Sequence, residues 1–207
     1  MILLISYDLT GKGKRKVKKS KRSLIENYEI TPFTCFIKPI VYGSKIYSQV
    51  VELNDEFISP FKPKVIINQS CEYFGSSYEG RKSGTRRLIG VTHKAPIIID
   101  QTNPIFFFPT TSPLSDDCIW IAHHHVIDYK KKGNGMVQVY FRNNITLEVN
   151  MSIGSFTNQM QRTAVLESKV SKINKEIGKM AYGLHRMHND MEASETPRNY
   201  STEKTDE

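Results

Sequence analysis

MVQVYFRNNITLEV, residues 136–149, alternates apolar and polar side chains with a period of two. Val137, Val139, Phe141, Ile145, Leu147 and Val149 fall on one face, and Gln138, Arg142, Thr146 and Glu148 on the other, across Asn143-Asn144. Successive strand side chains point to opposite faces, so this pattern predicts a β-hairpin with one buried face. Asparagine tolerates the positive φ such a turn needs. Upstream, Ile119–Tyr129 is expected to form a preceding strand joined through Lys130-Lys131-Lys132-Gly133-Asn134-Gly135, which makes Cys118–Val149 an antiparallel meander.

Further upstream, HKAPIIIDQTNPIFFFP (93–109) holds two apolar runs, Ile97–Ile99 and Ile105–Phe108, separated by a turn-like Asp100–Pro104. Fully apolar runs of this length read as core strands. Thr110–Asp117 is polar, contains Pro113 and reads as a surface loop. Ile30–Leu53 has the composition of two strands turning at Tyr42-Gly43-Ser44, and Pro32 and Pro39 place them at a sheet edge. Pro60 and Pro63 punctuate a loop. Val65–Ile67 and Leu88–Val91 are short apolar runs that enter and leave a central stretch.

Downstream, the period changes. From Ser155 to Met187, Phe156, Met160, Thr163, Leu166, Val170, Ile173, Ile177, Met180, Leu184 and Met187 follow helical three-and-four spacing, with Ser155 available as N-cap. From Val170 onward the spacing permits a coiled-coil seam, so the helix packs either within its own domain or against a second copy. Gly178 and Gly183 argue against a long stable helix. The organisation expected is a flexible basic arm (1–25), an α+β core (26–154), a C-terminal helix (155–189) and a disordered acidic tail (190–207). The fold class is α+β: a single domain with a largely antiparallel sheet, a central short helix or loop, and a C-terminal helix.

The chain of 207 residues has a net charge of +8, and its source is local. Eight basic residues lie in GKGKRKVKKSKR (11–22), so the remaining 21 of 29 match the 21 acidic ones. Such a run suits non-specific attraction to phosphate backbones, or is a loosely constrained tail. Cys35, Cys71 and Cys118 are odd in number and widely spaced, which argues for a reducing compartment. Met1–Leu9 is too short for a membrane span and precedes the basic run, so a soluble, cytoplasmic protein is expected.

Candidate chemistry concentrates in SCEYFGSSYEGRKSGT, residues 70–85. Tyr73, Phe74 and Tyr78 can anchor the segment, while Ser76, Ser77, Arg81, Lys82 and Ser83 offer donors to a phosphate-bearing partner. If Ser70 begins a helix as its N-cap, Gly75 and Gly80 weaken that helix. No acidic residue separates Arg81, Lys82, Arg86, Arg87 and Lys94, a local charge of plus five. A guanidinium over a narrow A·T-rich minor groove gains electrostatic attraction, and Arg81 leads the candidates with Lys82 on phosphate. The plainer alternative is a solvated basic face near a helix end. His123-His124-His125 could be imagined as metal ligands, but on a strand at most two share a face, and hydrogen-bonded histidines are the simpler reading. Gly80-Arg81-Lys82-Ser83 lacks Walker spacing, and neither helix-turn-helix nor zinc-finger patterning is visible.

CEYFGSSYEGRKSGT, THKAPIIID, NPIFFFPT, CIWIAHHHV and GSFTNQMQRTA, in that order between Val65 and Leu166, resemble the competence transcription factor family, ComK, of Gram-positive bacteria. The motif residues are Phe74, Gly75, Ser76, Ser77, Tyr78, Gly80, Arg81, Lys82, Gly84 and Thr85, followed by His93, Lys94, Pro96, Pro109, Thr110, Trp120 and Ile121. Ala95 stands where a second proline is expected, and Arg86 and Arg87 are additional to the motif. The resemblance implies a cytoplasmic, nucleoid-associated activator of DNA-uptake genes that binds paired A/T-rich boxes of double-stranded DNA, mainly through the minor groove, as an assembly of dimers. It implies RNA polymerase as a partner, and a proteolytic adaptor, whose short motif has no match in residues 178–207. No enzyme activity, cofactor, metal or membrane partner is expected. The competing readings are a non-specific DNA- or RNA-binding accessory protein, and a metal-dependent nuclease using His123, His125 and nearby acids such as Asp116, Asp117 or Asp128.

Overall fold

The computed structural model describes residues 23–142 and 144–193, with side chains described as far as Ala181. The chain divides into two compact units, residues 1–167 and 168–207. In the first, seven strands form one sheet: β1 (Ser23–Leu24), β2 (Thr34–Tyr42), β3 (Lys45–Glu52), β4 (Glu56–Ser59), β5 (Ile97–Ile98), β6 (Phe106–Pro109) and β7 (Trp120–Ala122). Their order is β1-β4-β3-β2-β7-β6-β5, with every pairing antiparallel except β1 with β4. A second sheet, ordered β10-β9-β8, contains β8 (Val126–Lys132), β9 (Met136–Phe141) and β10 (Thr146–Val149). The expected α+β class with a largely antiparallel sheet is what the structure shows.

The large sheet is buried on both faces. Ile37, Val50, Phe107, Trp120 and Ala122 share a core with Ile66, Ile67, Cys71 and Tyr78, which come from α1 (Pro63–Tyr73) and α2 (Tyr78–Ile89). Phe36, Val51, Phe108 and Ile121 share another with Val137, Val139, Phe141, Leu147 and Val149 of the small sheet, and with Phe156 of α3 (Ile153–Ala193). Adjacent residues in one strand thus serve different cores, which is why 97–99 and 105–108 read as apolar runs without alternation.

The hairpin read from residues 136–149 pairs as the alternation predicts, with Val137 opposite Val149 and Val139 opposite Leu147. Asn144 takes φ of 59°, and Asn143 lies outside the described residues. The Asp100–Pro104 turn is held by the Asp100 carboxylate, which accepts from the Thr102 N–H at 2.8 Å and the Asn103 N–H at 3.2 Å.

Several expectations are corrected. Strand Ile119–Tyr129 is broken: β7 belongs to the large sheet, His123–His125 forms a 3-10 turn, and β8 belongs to the small one. The apolar pattern runs through this bend, so periodicity cannot show it. Lys130–Lys132 are part of β8, leaving Gly133–Gly135 as the turn. β2 is internal, with β3 and β7 on its two sides, despite Pro39. Its pairing with β7 ends at Ile37, so Pro39 sits where β2 has one neighbour and its missing N–H costs no ladder bond. Ser70 is no N-cap. It is buried inside α1 and accepts from the Ile30 N–H at 3.0 Å, and Val65–Ile67 are helical with it.

At the start of α3, Ser152 caps in place of Ser155, its Oγ accepting from the Ser155 N–H at 3.2 Å. The helix continues through Gly178 and Gly183 to Ala193, beyond the expected end at 189. Of the expected 1–25 arm, Ser23 and Leu24 pair with β4, and the Ile25 N–H donates to the Ile58 carbonyl at 2.9 Å. The basic run 11–22 lies outside the described residues, as does the acidic tail from 194 onward. No helix among the described residues is long and apolar enough to cross a membrane.

Phe108 is fully buried and packs edge-on to Phe156 at 5.6 Å, joining β6 to the start of α3. Phe108→Ala is expected to lower stability by about 3–5 kcal/mol, read as a lower urea midpoint at unchanged slope.

Candidate nucleic-acid interface

The stretch 70–85 folds as the end of one helix, a tight turn and most of a second helix. Pro63 opens α1, where a missing N–H is harmless. Gly75, at φ 71°, ends it: the Gly75 N–H donates to the Glu72 carbonyl and the Ser76 N–H to the Cys71 carbonyl, both at 2.9 Å. Ser77 then caps α2, its Oγ accepting from the Gly80 N–H at 3.0 Å. A Cβ on Gly80 would lie 3.2 Å from the Ser77 Oγ and 3.3 Å from the Ser76 Oγ, a tight contact that the two hydroxyls would have to relieve by a shift of a few tenths of an ångström. Sequence patterning showed no helix-turn-helix, yet two consecutive helices joined by Phe74–Ser77 are present.

Of the predicted site residues, Arg81 is placed differently from the rest. It is buried at 8% exposure, with its Nη2 donating to the Ile99 carbonyl at 3.1 Å and the Phe74 carbonyl at 3.3 Å. Phe74 caps the C-terminal end of α1, where the helix dipole favours a cation. Four residues on, the Thr85 hydroxyl donates to the Pro96 carbonyl at 2.7 Å. Tyr78 completes this face, edge-on to Trp120 at 6.0 Å. The face of α2 expected to meet a partner through Arg81 is therefore the face that docks on the protein.

The opposite face is open. Gly80, Ser83, Gly84, Arg86 and Arg87 are exposed, and a Cβ on Gly84 would meet nothing within 4 Å. Arg86 and Arg87 occupy the last turn before Gly90. Lys82 is half-buried and pairs with Glu79 at 3.2 Å. Ser76 and Ser77 stand at the N-terminal turn, where Ser77 is committed to capping. Lys94 is exposed at φ 49°, a left-handed conformation uncommon for a side-chain-bearing residue. Its carbonyl accepts from Gln159 Nε2 at 3.0 Å, and the same amide nitrogen reaches the Pro109 carbonyl at 2.6 Å. Gln159 was missed in the sequence; a long polar side chain amid the apolar stripe Phe156, Thr163 and Leu166 was its only signal.

The histidines of the 123–125 turn are hydrogen-bonded within the chain. His124 and His125 reach the Pro32 carbonyl through Nε2, at 3.3 Å and 2.8 Å, and His123 Nδ1 pairs with Glu167 at 3.1 Å. Among the described residues, no three His, Cys, Asp or Glu side chains converge as a metal site.

The family description "ComK protein" matches residues 25–175. The chain belongs to the ComK family. This ComK-family chain is also 41% identical to the "Competence transcription factor" of Bacillus subtilis (strain 168) over 145 residues, 70% of this chain and 76% of that protein. No solved structure matches it.

One pH response follows from the histidine turn. Burial and then His124 hold the His125 imidazole down to about 4 from its ordinary 6.5, against the opposing hydrogen bond to Pro32. Below pH 6.5 the unfolded chain takes up a proton that the folded chain refuses until about pH 4. Stability should therefore fall as pH drops through that window. A urea midpoint measured from pH 7 downward tests this, and His125→Gln, which keeps a donor for Pro32 without titrating, should show a shallower fall.

Proposed function

We propose that this chain is a transcriptional activator of competence genes that binds A/T-rich duplex DNA, chiefly in the minor groove, through the outward face of α2 and the segment leading to Lys94. The observation that carries this reading is the division of α2. Arg81 and Thr85 fix one face to the protein, and the other presents Arg86 and Arg87 beside small residues that let a backbone approach. Arg81 becomes a positioning residue, Arg86 and Arg87 take the groove and phosphate contacts, and Lys94 and Lys82 flank them. Ser76 and Ser77 supply donors at the N-terminal turn. The relation to a competence transcription factor supports the same reading, which requires no catalysis or cofactor and makes RNA polymerase a partner in the cytoplasm. Regulation by a proteolytic adaptor belongs to the same family reading.

The test is a mobility-shift titration against paired A/T boxes and a G·C-substituted control at two salt concentrations. The A/T duplex should bind more tightly, and Arg86→Ala and Arg87→Ala should each reduce the salt slope by about one. Equal binding to both duplexes, with the slope unmoved, would overturn the reading and leave non-specific attraction to phosphate.

Self-association is the second part of the proposal. Ile173, Ile177 and Met180 are exposed at helical spacing on α3, between Lys172, Lys175, Glu176 and Lys179. An apolar stripe flanked by charges is what a helix–helix seam with a second copy requires. Sedimentation of Ile177→Glu should lose the concentration-dependent mass of the wild type. A wild type that stays monomeric at every concentration would remove this part.

A further inference from the structure

β2 and β3 outrun the sheet they belong to. The last rung of β2 with β7 is Ile37, and the last rung of β3 with β4 is Ser48. Beyond these, the two strands pair only with each other as far as Tyr42 opposite Lys45. The three rungs from Ile40 opposite Tyr47 to Tyr42 opposite Lys45 make a two-stranded ribbon about 10 Å long. Its tip is apolar: Val41 is 82% and Tyr42 65% exposed, and the Tyr42 and Tyr47 rings stack at 4.9 Å. Between Thr34 and Val51 the only charged residues are Lys38 and Lys45. An apolar surface held out in water and rimmed by cations alone fits a polyanion with an apolar interior, such as stacked bases behind phosphates. Pro39 and the lysines guard the open strand edge against a second copy adding to it.

The register also says where the tip lies. β2 is antiparallel to β7, β7 to β6 and β6 to β5. The tip of the ribbon and the start of β5 are therefore at the same end of the sheet. Lys94 stands three residues before β5, and the Thr85 bond to Pro96 brings the C-terminal half of α2 to that end. Three interstrand steps separate β2 from β5, about 14 Å. Along the strands the tip also stands five residues, roughly 17 Å, beyond the Ile37–Trp120 rung, so the two contacts would fall on successive stretches of one duplex.

We propose that this ribbon is a second contact on the same DNA, with Val41 and Tyr42 entering the minor groove as a wedge against a base step and Lys45 on the flanking phosphate. Pyrimidine–purine steps in A/T boxes unstack easily, which makes them the target. The proposal rests on the DNA-binding reading above.

The experiment uses the full chain and an A/T-box duplex carrying 2-aminopurine at its TA steps, whose fluorescence rises on unstacking. Wild type should raise it. The Val41→Ser, Tyr42→Ser double variant should lose the rise and bind roughly 10- to 100-fold more weakly at an unchanged salt slope, the loss expected for two buried side chains. Lys45→Gln should keep the rise and lower the slope. A double variant that binds and brightens like wild type overturns the wedge and leaves the α2 contact standing. So does one that loses self-association in sedimentation while keeping the rise, because the ribbon then faces a second copy. Failure of wild type to shift the unmodified duplex would instead sink the DNA-binding reading beneath it. Both tip residues are exposed, so circular dichroism of the variants should match wild type.

Discussion

Phe107 and Phe108 are neighbours in β6, yet one belongs to the core beneath α1 and α2 and the other to the core beneath the small sheet. Pleating makes this unavoidable in any strand covered on both sides. The same split recurs at Phe36 and Ile37, at Val50 and Val51, and at Trp120 and Ile121. Every other element is placed by which of the two faces it covers. The helices take the Trp120 face, while β8–β10 and the first turns of α3 take the Phe108 face.

This constraint explains why α2 carries its charge in two different ways. A helix covering a sheet needs a stripe that packs, and α2 builds its stripe from Tyr78, Arg81 and Thr85. The only residues of that stripe able to satisfy the carbonyls of Pro96 and Ile99 are the polar ones, since β5 is only two residues long and leaves those groups unpaired by a neighbouring strand. The positive charge of Arg81 is thus a component of the dock, and its Nε finds no partner there. The positive charges of Arg86 and Arg87 have no such duty.

Elements whose burial follows a single period were legible from residues alone. The 136–149 hairpin is buried on one face, so its alternation reports that face, and Asn144 reports the turn. The helical period of α3 was legible for the same reason, but its cap, Ser152 instead of Ser155, was not. What escaped reading depended on contacts distant in sequence. Ser70 looks like a cap until the Ile30 N–H, forty residues away, is found on its hydroxyl. The bend at His123–His125 is fixed by the Pro32 carbonyl from the far side of the chain. Arg81 reads as a free cation because arginine usually is one, and its burial is decided by Phe74 and Ile99. The candidate stretch 70–87 stands out by its density of glycine, hydroxyl and basic residues; which side of its second helix faces outward was not legible.

The three cysteines acquire a use from where they lie. Cys71 and Cys118 sit in the core under the helices and Cys35 in the other, and burial raises their thiols to about 11, 11 and 12 respectively. A folded chain of this kind is silent toward alkylating reagents near neutrality, because neither access nor thiolate is available. Reagent uptake then becomes a clock for transient opening, with one hand in each core. Mass spectrometry of the labelled peptides would tell whether the two layers breathe together or apart.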